Sequence, residues 1–357
     1  MVKVLIVDDS ALMRRCLREI FEAEAGFEVA LARNGRDALE QIESYRPDVV
    51  TLDVNMPEMD GLTCLGEIMA REPRPVVMVS SLTAEGAEVT LEALALGAVD
   101  VVQKPDGTVS LHINRIRPEL VAKVRAAAGA RIRRARTLTR RLREQSGRPD
   151  PAKPIPVAQP LPPLRSDTQG LILIGVSTGG PRTLEEVLPR LPADLPWPVL
   201  VAQHMPGAFT GVFAQRMNGV CALDVVEVGK PAALQPGRVY IARGDADMVV
   251  EKRLGRLTAV PVPSDDAHLW HPSVERLVAS AMRQVAADRL IGVMLTGMGS
   301  DGSAAMTELR RMGGRTIAED ESTAVVFGMP ADLIRRGGAD AVLPCGDIAG
   351  QILRWLS

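Results

Sequence analysis

Residues that could form a nucleophile, its base and an orienting acid follow apolar runs in the second half of the chain. Ser177 lies in the stretch GVSTGG, residues 175–180, directly after the run LILI. His204 follows the run PVLVAQ, and Asp301 lies in the glycine-rich stretch LTGMGSDG, residues 295–302. A serine beside a histidine that a carboxylate orients can attack an acyl group. We therefore expect acyl-transfer chemistry if the fold brings these residues together.

The glycine-rich turn around Ser177 also resembles two kinds of phosphate-binding loop, and both fit poorly. A P-loop places a lysine after its last glycine, whereas Pro181 follows Gly180 here. A dinucleotide-binding loop needs a glycine where Ser177 stands, because the backbone must approach the pyrophosphate. The turn also matches G-x-S-x-G of α/β-hydrolases, in which the acid precedes the histidine. The order serine, histidine, acid instead predicts a convergent site on another sheet topology.

Two further histidines, His268 and His271, flank Leu269 and Trp270 in the stretch HLWH. As a zinc pair they lack a convincing third ligand. We expect them to belong to a packed or substrate-facing loop instead.

Polar side chains also follow successive apolar runs in the first half of the chain. They are three carboxylates, an amide, a hydroxyl and an amine: Asp8, Asp9, Asp53, Asn55, Ser80 and Lys104. The carboxyl ends of parallel strands meet at one edge of a sheet, so these groups should converge. Clustered carboxylates repel each other and need a cation, and such oxygen ligands suit Mg²⁺ together with a phosphoryl group. A carboxylate beside Mg²⁺ and a lysine can accept a phosphoryl group.

Apolar runs that alternate with amphipathic stretches predict the elements that position these residues. In the first half the runs expected as buried parallel strands are VKVLIV (2–7), DVVTLD (48–53), PVVMVS (75–80) and VDVVQK (99–104). In the second half they are LILIGV (171–176), PVLVAQ (198–203) and LIGVMLT (290–296). Three shorter runs between turn residues predict an antiparallel hairpin or meander: GRVYIAR (237–243), DMVVEK (247–252) and RLTAVPV (256–262).

Composition divides the chain into two α/β domains and a connection. Residues 131–143 hold seven arginines, and the stretch that follows them, 149–163, is rich in proline. We predict domains at 1–125 and 169–357, joined by a basic helical tail and a semi-rigid linker at 126–168. The predicted fold class is α/β with two doubly wound, mainly parallel sheets, flavodoxin-like in the first domain and Rossmann-like, with an antiparallel hairpin, in the second.

Bulk composition excludes several classes of protein. Lys and Arg number 42 against 44 for Asp and Glu, so a global electrostatic drive toward nucleic acid is absent. The four cysteines lie far apart, which argues against a disulfide framework and against a thiolate zinc site. The N-terminal stretch MVKVLIVDDS is too short and too acidic for a signal peptide, and no apolar run approaches membrane-spanning length. We expect a cytoplasmic protein without direct membrane insertion.

The first half resembles the receiver domain of two-component response regulators over residues 1 to about 125. The resemblance rests on VDDS, LDVNMPEMDG, MVSS and QKP taken together. It implies that Asp53 accepts the phosphoryl group, that Ser80 and Lys104 contact that group, and that a CheA-type histidine kinase donates it. It also implies a Mg²⁺ site formed by Asp9, Asp53 and the Asn55 carbonyl, with Asp8 nearby.

One position departs from the receiver pattern. Val101 stands where many receivers carry an aromatic switch residue. A ring that swings between two rotamers therefore cannot relay the signal here.

The second half resembles the catalytic domain of the CheB family of chemotaxis protein-glutamate methylesterases. The motifs are GVSTGGP, AQHMP, LTGMGSDG and VVFGMP, and with the receiver the resemblance spans essentially the whole chain. It implies that Ser177 is the nucleophile, His204 the base and Asp301 the orienting acid. The Met298 N–H is implied as an oxyanion donor, and Thr178 is expected to border the site.

The resemblance implies hydrolysis of glutamate γ-methyl esters on cytoplasmic helices of chemoreceptors, with release of methanol, and deamidation of specific glutamines. The esterase reaction would need no cofactor, and we expect a monomer that binds no nucleic acid. We further hypothesise that the unphosphorylated receiver packs against the Ser177 cleft and that phosphorylation of Asp53 loosens this contact. Two other classes stay open: a catalytically silent scaffold for receptor and kinase, and a DNA-binding regulator that uses the arginine-rich tail.

Overall fold

Short apolar runs form a first, parallel sheet in the computed structural model, which describes residues 1–80, 84–104, 109–132 and 170–357. The strands are β1 (Val2–Val7), β2 (Phe27–Ala32), β3 (Val49–Asp53), β4 (Val76–Ser80) and β5 (Asp100–Gln103). Their order across the sheet is β2-β1-β3-β4-β5, and every pairing is parallel. β3 and β4 are buried along their whole length, as expected for strands covered by helices on both faces.

Helices on both faces of this sheet begin soon after the strands end. They are α1 (Ala11–Glu22), α2 (Gly35–Tyr45), α3 (Gly61–Arg71), α4 (Ala84–Leu96) and α5 (Val109–Ala128). The side chains of Ser10, Asn34 and Asp60 cap the first three helices by accepting backbone N–H groups. The cap at Ser10 starts α1 directly after Asp8 and Asp9, which keeps both carboxylates at the carboxyl edge of the sheet.

A second parallel sheet forms the centre of the other domain. Its strands are β6 (Leu171–Val176), β7 (Val199–Gln203), β8 (Asp224–Val228), β10 (Arg238–Ala242), β13 (Leu290–Met294), β14 (Arg315–Glu319) and β15 (Ala341–Leu343). In the described part of the chain the order is β15-β14-β13-β6-β7-β10-β8. β6, the strand before Ser177, therefore lies between the strands that precede His204 and Asp301. This order puts three candidate site residues after three adjacent strands.

The prediction of an antiparallel element is right for two of its three runs and wrong for the third. β11 (Ala246–Arg253) and β12 (Arg256–Pro263) form an antiparallel hairpin, to which β9 (Ala232–Ala233) adds a short edge. The run 237–243 instead supplies β10, a parallel strand between β7 and β8. The residues from Val239 to Ala242 are fully buried, so β10 is covered on both faces. A short apolar run has the same pattern in a buried parallel strand and in a hairpin strand, so the periodicity of the sequence cannot distinguish the two.

The helices of the second domain cover both faces of its sheet. They are α6 (Gly180–Val187), α7 (Gly207–Val220), α8 (Val274–Gln284), α9 (Ser303–Arg311), α10 (Met329–Arg335) and α11 (Cys345–Leu356). Among the described residues, none of the helices combines the length and the apolar character that crossing a membrane requires.

The two domains pack against each other through α4 and α7. Leu91 and Leu94 of α4 belong to the same buried apolar cluster as Phe209 and Phe213 of α7. Most of the predicted tail and linker, 126–168, lies outside the described residues.

Candidate functional site

Ser177 stands in a tight turn between β6 and α6, and both neighbouring loops hold that turn. Its N–H donates to the Thr296 carbonyl at 2.9 Å, and its own carbonyl accepts from Gln203 Nε2 at 3.0 Å. Gly179 caps α6 with a φ of 80°, a left-handed conformation that glycine adopts without strain. A Cβ on Gly297 would lie 2.6 Å from Ser177 Cβ, so only glycine lets the third loop approach this closely. The turn thus fixes the serine at the carboxyl edge of the sheet.

His204 and Asp301 meet beside this turn. His204 Nε2 lies 2.8 Å from Asp301 Oδ2. Asp301 also accepts hydrogen bonds from Ser273 Oγ and from the Val274 and Glu275 N–H groups at the start of α8. Burial would raise the pKa of Asp301, but the bonds from His204 and from the backbone outweigh it and hold that pKa below its usual value. Asp301 is therefore a charged acceptor that fixes one nitrogen of His204.

The second ring nitrogen of His204 is the group that can take a proton. His204 Nδ1 is buried and has no hydrogen-bond partner among the described residues. Since the ionised Asp301 accepts the Nε2–H, Nδ1 carries a free lone pair. The two nitrogens are used in the opposite sense to chymotrypsin-type serine proteases, where Nδ1 faces the acid. The pair can therefore act as a general base through Nδ1.

The loop after β13 approaches the serine from the other side. It carries Met298, which is mostly buried, next to Gly297. Gly297 is held by backbone hydrogen bonds, accepting from Gly328 and Met329 and donating to Val326. The VVFGMP stretch thus supports the loop whose backbone is the predicted oxyanion donor.

The side chain of Thr178 is directed at the first domain. Thr178 Oγ1 donates to Asp100 Oδ2 at 2.6 Å, and the neighbouring Gly179 N–H donates to the Val99 carbonyl at 3.0 Å. Val99 and Asp100, at which β5 begins, therefore contact the turn that carries Ser177. Ser177 itself is only 2% exposed in this arrangement.

Asp100 is a residue that the sequence analysis missed. Besides Thr178 it pairs at 3.0 Å with Lys123, which also contacts Glu119 at 2.9 Å and the Val101 carbonyl at 2.7 Å. Asp100 lies at the start of an apolar run, and Lys123 lies on a helix with several apolar neighbours. The available signal was a charged residue among apolar neighbours, Asp100 in the run and Lys123 in the helix. Neither position belongs to a sequence motif.

The carboxylates of the first domain converge, as predicted for groups at the carboxyl ends of parallel strands. Ligand oxygens of Asp8, Asp9 and Asp53 all lie within 4.8 Å of one another. Lys104 Nζ lies 2.7 Å from Asp53 Oδ2 and 2.8 Å from Asp8 Oδ2. The buried Ser80 ends the neighbouring strand β4.

Burial raises the pKa of Asp53, although Lys104 and the Val54 N–H act in the opposite direction. For Lys104, burial is outweighed by Asp8 and Asp53, so the pKa of this amine is also raised. Three adjacent carboxylates beside one amine leave excess negative charge, with the exposed Asn55 close by in sequence. This donor set fits a hard divalent cation.

The two histidines of HLWH are engaged by carboxylates. His268 Nδ1 lies 2.7 Å from Asp265 Oδ1, and His271 Nδ1 lies 2.9 Å from Asp247 Oδ1. These contacts are consistent with the packed alternative of the packed or substrate-facing loop predicted for the stretch.

The chain matches two family models. The model described as CheB methylesterase covers residues 172–352, and the response regulator receiver domain covers residues 4–114. A Rhodospirillum rubrum relative, named protein-glutamate methylesterase/protein-glutamine glutaminase 3, is 60% identical over 100% of this chain and 97% of its own length. A Rhodopseudomonas palustris relative with the same name, numbered 2, is 53% identical over 99% of this chain and 98% of its own length. The crystal structure of the Thermotoga maritima CheB methylesterase catalytic domain is 38% identical, with a TM-score of 0.50, and covers 52% of this chain and 98% of that one.

Proposed function

The chain belongs to the CheB methylesterase family, with a response regulator receiver domain in its first half, and we propose that it hydrolyses glutamate γ-methyl esters on chemoreceptors. It serves adaptation in chemotaxis and is controlled by phosphorylation. The observation that carries the proposal is the His204–Asp301 pair beside Ser177, with Nδ1 left open for a proton. The family of the chain supports the substrate, and the geometry supports the chemistry.

In the proposed reaction Ser177 Oγ attacks the ester carbonyl while His204 Nδ1 accepts the hydroxyl proton. Asp301 stabilises the resulting imidazolium through Nε2, and the Met298 N–H holds the oxyanion. The intermediate then collapses to a glutamyl ester of Ser177, and the alkoxide leaves as methanol with the proton from His204. A water molecule, deprotonated by His204, cleaves the acyl-enzyme and regenerates glutamate and the serine hydroxyl. With a glutamine substrate the same steps release ammonia, which gives the deamidase activity.

Mass spectrometry of receptor peptides tests this function directly. Methylated receptor is treated with the full-length protein in the presence of acetyl phosphate and Mg²⁺, and digested peptides are compared before and after. We expect methyl groups to disappear from specific glutamates and specific glutamines to become glutamates. Unchanged peptides, with phosphorylation of Asp53 verified in the same sample, would contradict the proposal.

The receiver is proposed to accept its phosphoryl group on Asp53 from a CheA-type histidine kinase. Asp8, Asp9, Asp53 and the Asn55 carbonyl would hold Mg²⁺, which supplies charge neutralisation for phosphoryl transfer. Lys104, which contacts both Asp8 and Asp53, and Ser80 would contact the phosphoryl oxygens. The proposed domain boundaries are 1–125, 126–168 and 169–357. The helix α5 extends three residues past the first boundary, to Ala128.

The unphosphorylated receiver is proposed to obstruct the Ser177 cleft. The support is the pair of hydrogen bonds from Thr178 and Gly179 to the beginning of β5, next to a nearly inaccessible serine. A receptor helix is about 10–12 Å across with its side chains. It cannot reach Ser177 while these contacts persist, so phosphorylation must change the domain arrangement.

Replacing Asp53 by asparagine should abolish activation. Asparagine has nearly the same shape but cannot form an acyl phosphate, so the domain interface stays closed. Wild type should gain about tenfold or more with acetyl phosphate, which corresponds to a shift of about 1.4 kcal/mol in the open-to-closed equilibrium. Initial rates of methanol release measure the effect. Equal activation of the variant and wild type would disprove the control mechanism, whereas equal basal rates of the two proteins are expected.

Replacing Asp100 by alanine should raise the basal rate without a phosphodonor. A hydrogen bond to a charged group contributes about 1.5–3 kcal/mol, so loss of the Thr178 bond should raise the open fraction roughly tenfold or more. The measured quantity is the ratio of basal to phosphodonor-stimulated methanol release. Glu119→Gln is the control for a weakened Lys123 ion pair, because Glu119 also pairs with Lys123 but makes no hydrogen bond to the second domain among the described residues. Loss of hydrogen-exchange protection in receiver peptides of Asp100→Ala would point to receiver destabilisation rather than to the interdomain bond.

A further inference from the structure

Trp270 lies against the imidazole of His204 at the rim of the candidate active site. The two rings are stacked, with centroids 5.9 Å apart and planes 16° apart. The indole also approaches the loop that carries Asp301, since a Cβ on Gly299 would lie 3.5 Å from Trp270 Nε1. The indole thus contacts the histidine and neighbours the loop of its orienting acid.

The segment that carries Trp270 is fixed by buried hydrogen bonds. Asp247, whose side chain is fully buried, accepts from His271 Nδ1 at 2.9 Å and from the Ser273 N–H at 2.5 Å. Arg276 joins Asp247 at 2.6 Å to Asp265 at 3.1 Å, which ties the two ends of the segment together. A loop that only covered the surface would need no such anchoring. The arrangement holds the indole at a set position.

We infer that Trp270 is a positioning residue for His204 in the proposed esterase reaction, on which this inference rests. One hydrogen bond, to Asp301, fixes His204 at Nε2, but the terminal torsion of a histidine has a broad energy well. A stacked ring restricts that torsion and so holds Nδ1, which has no hydrogen-bond partner among the described residues, in one position. Aromatic pairs of this kind stabilise each other beyond the effect of their buried area.

The stacking also bears on the charged state of His204. When Nδ1 accepts the serine proton, the imidazolium lies against the indole face at a distance typical of cation–π contacts, which stabilise the charged ring. The indole in addition shields the His204–Asp301 hydrogen bond from water, and such a bond is stronger in a less polar environment. Both effects act on the chemical step rather than on substrate binding.

The test compares Trp270→Ala and Trp270→Phe in the full-length protein with acetyl phosphate and Mg²⁺. A fluorophosphonate probe reports how fast Ser177 is activated, and methanol release from methylated receptor gives kcat and KM. For Trp270→Ala we expect labelling and kcat to fall about tenfold, because small misplacements of a catalytic group cost up to about 10²-fold. KM should change little, Tm should stay near that of wild type, and Trp270→Phe should retain most of the rate.

Leu269→Ala is the matched control, since Leu269 is the neighbouring side chain and is 76% exposed. It should label at the wild-type rate. Wild-type labelling in Trp270→Ala would overturn the inference, as would a raised KM with unchanged kcat and labelling, which indicates a substrate contact instead. Absence of labelling at Ser177 in wild type would contradict the proposed function itself, and the inference would fall with it.

Discussion

Replacing Ser177 by alanine is expected to lower methyl ester hydrolysis by about 10⁶-fold, the order of magnitude found when a serine nucleophile is removed from an intact triad. The substitution removes Oγ and leaves the turn in place, because that turn is held by backbone contacts to Thr296 and by Gln203. Without Oγ the His204–Asp301 pair has no hydroxyl to activate. The residual rate would come from the oxyanion donors and substrate positioning alone.

Methanol release and receptor mass spectrometry measure this effect under activating conditions. Ser300→Ala is the matched control, since Ser300 is exposed and lies beside Asp301 in the same loop system. It should retain the wild-type rate within about twofold, as expected for a surface substitution. A Ser177→Ala protein that hydrolyses esters within tenfold of wild type would identify a different nucleophile. Equal inactivity of wild type and Ser177→Ala with receptor binding intact would favour the scaffold alternative.

Replacing Lys123 by methionine should destabilise the receiver domain by about 3–5 kcal/mol, because removing one partner leaves a buried charge uncompensated. Lys123 is 2% exposed, and its amine contacts Asp100, Glu119 and the Val101 carbonyl. Asp100 is itself buried, so its carboxylate would lose its cation without gaining water. Methionine fills a similar volume, so the lost stability would result from removal of the charge rather than from a cavity.

Hydrogen exchange of peptides from β1 to β5 measures this loss locally, which avoids treating a two-domain chain as one unfolding unit. Glu119→Gln should cost less than about 1 kcal/mol, because Glu119 is one-third exposed. The double variant Lys123→Met with Asp100→Asn should be more stable than Lys123→Met alone, since no buried charge is left unpaired. Equal protection in Lys123→Met and wild type would rule out this role of the ion pair.

The same ion pair has a defined pH dependence. Burial would lower the pKa of Lys123, but Asp100 and Glu119 outweigh it and raise that pKa above its ordinary value. A raised pKa in the folded state means that the contribution to stability is complete below the unfolded value, about 10.4, and is lost as pH rises toward the folded value. Receiver protection should therefore weaken at alkaline pH in wild type more than in Lys123→Met.

Much of the fold followed from the sequence because its strands are nearly continuous apolar runs. The predicted central runs in both halves became parallel strands, and VVTLD and LILIGV are buried at every position. The run 237–243 was the exception. Whether a run of four apolar residues joins a parallel sheet or a hairpin depends on what covers its two faces, and that information lies in distant helices rather than in the run.

The sequence by itself determined which residues stand at the strand ends. Ser177, His204 and Asp301, like Asp8 and Asp53, follow apolar runs, and the rule that parallel strands share a carboxyl edge was enough to group them. It also determined the family, because GVSTGGP, AQHMP and LTGMGSDG occur together with a receiver pattern.

Tertiary structure alone decided how these groups are oriented and what lies against them. That Asp301 takes Nε2 of His204 and leaves Nδ1 open depends on α8, whose N–H groups hold the carboxylate. The bond from Thr178 to Asp100 joins residues 78 positions apart in two domains, and neither residue type marks a partner in advance. Side-chain contacts of this kind depend on how helices and strands pack against one another. The apolar pattern of a sequence determines only that these elements pack, and not which side chains then meet.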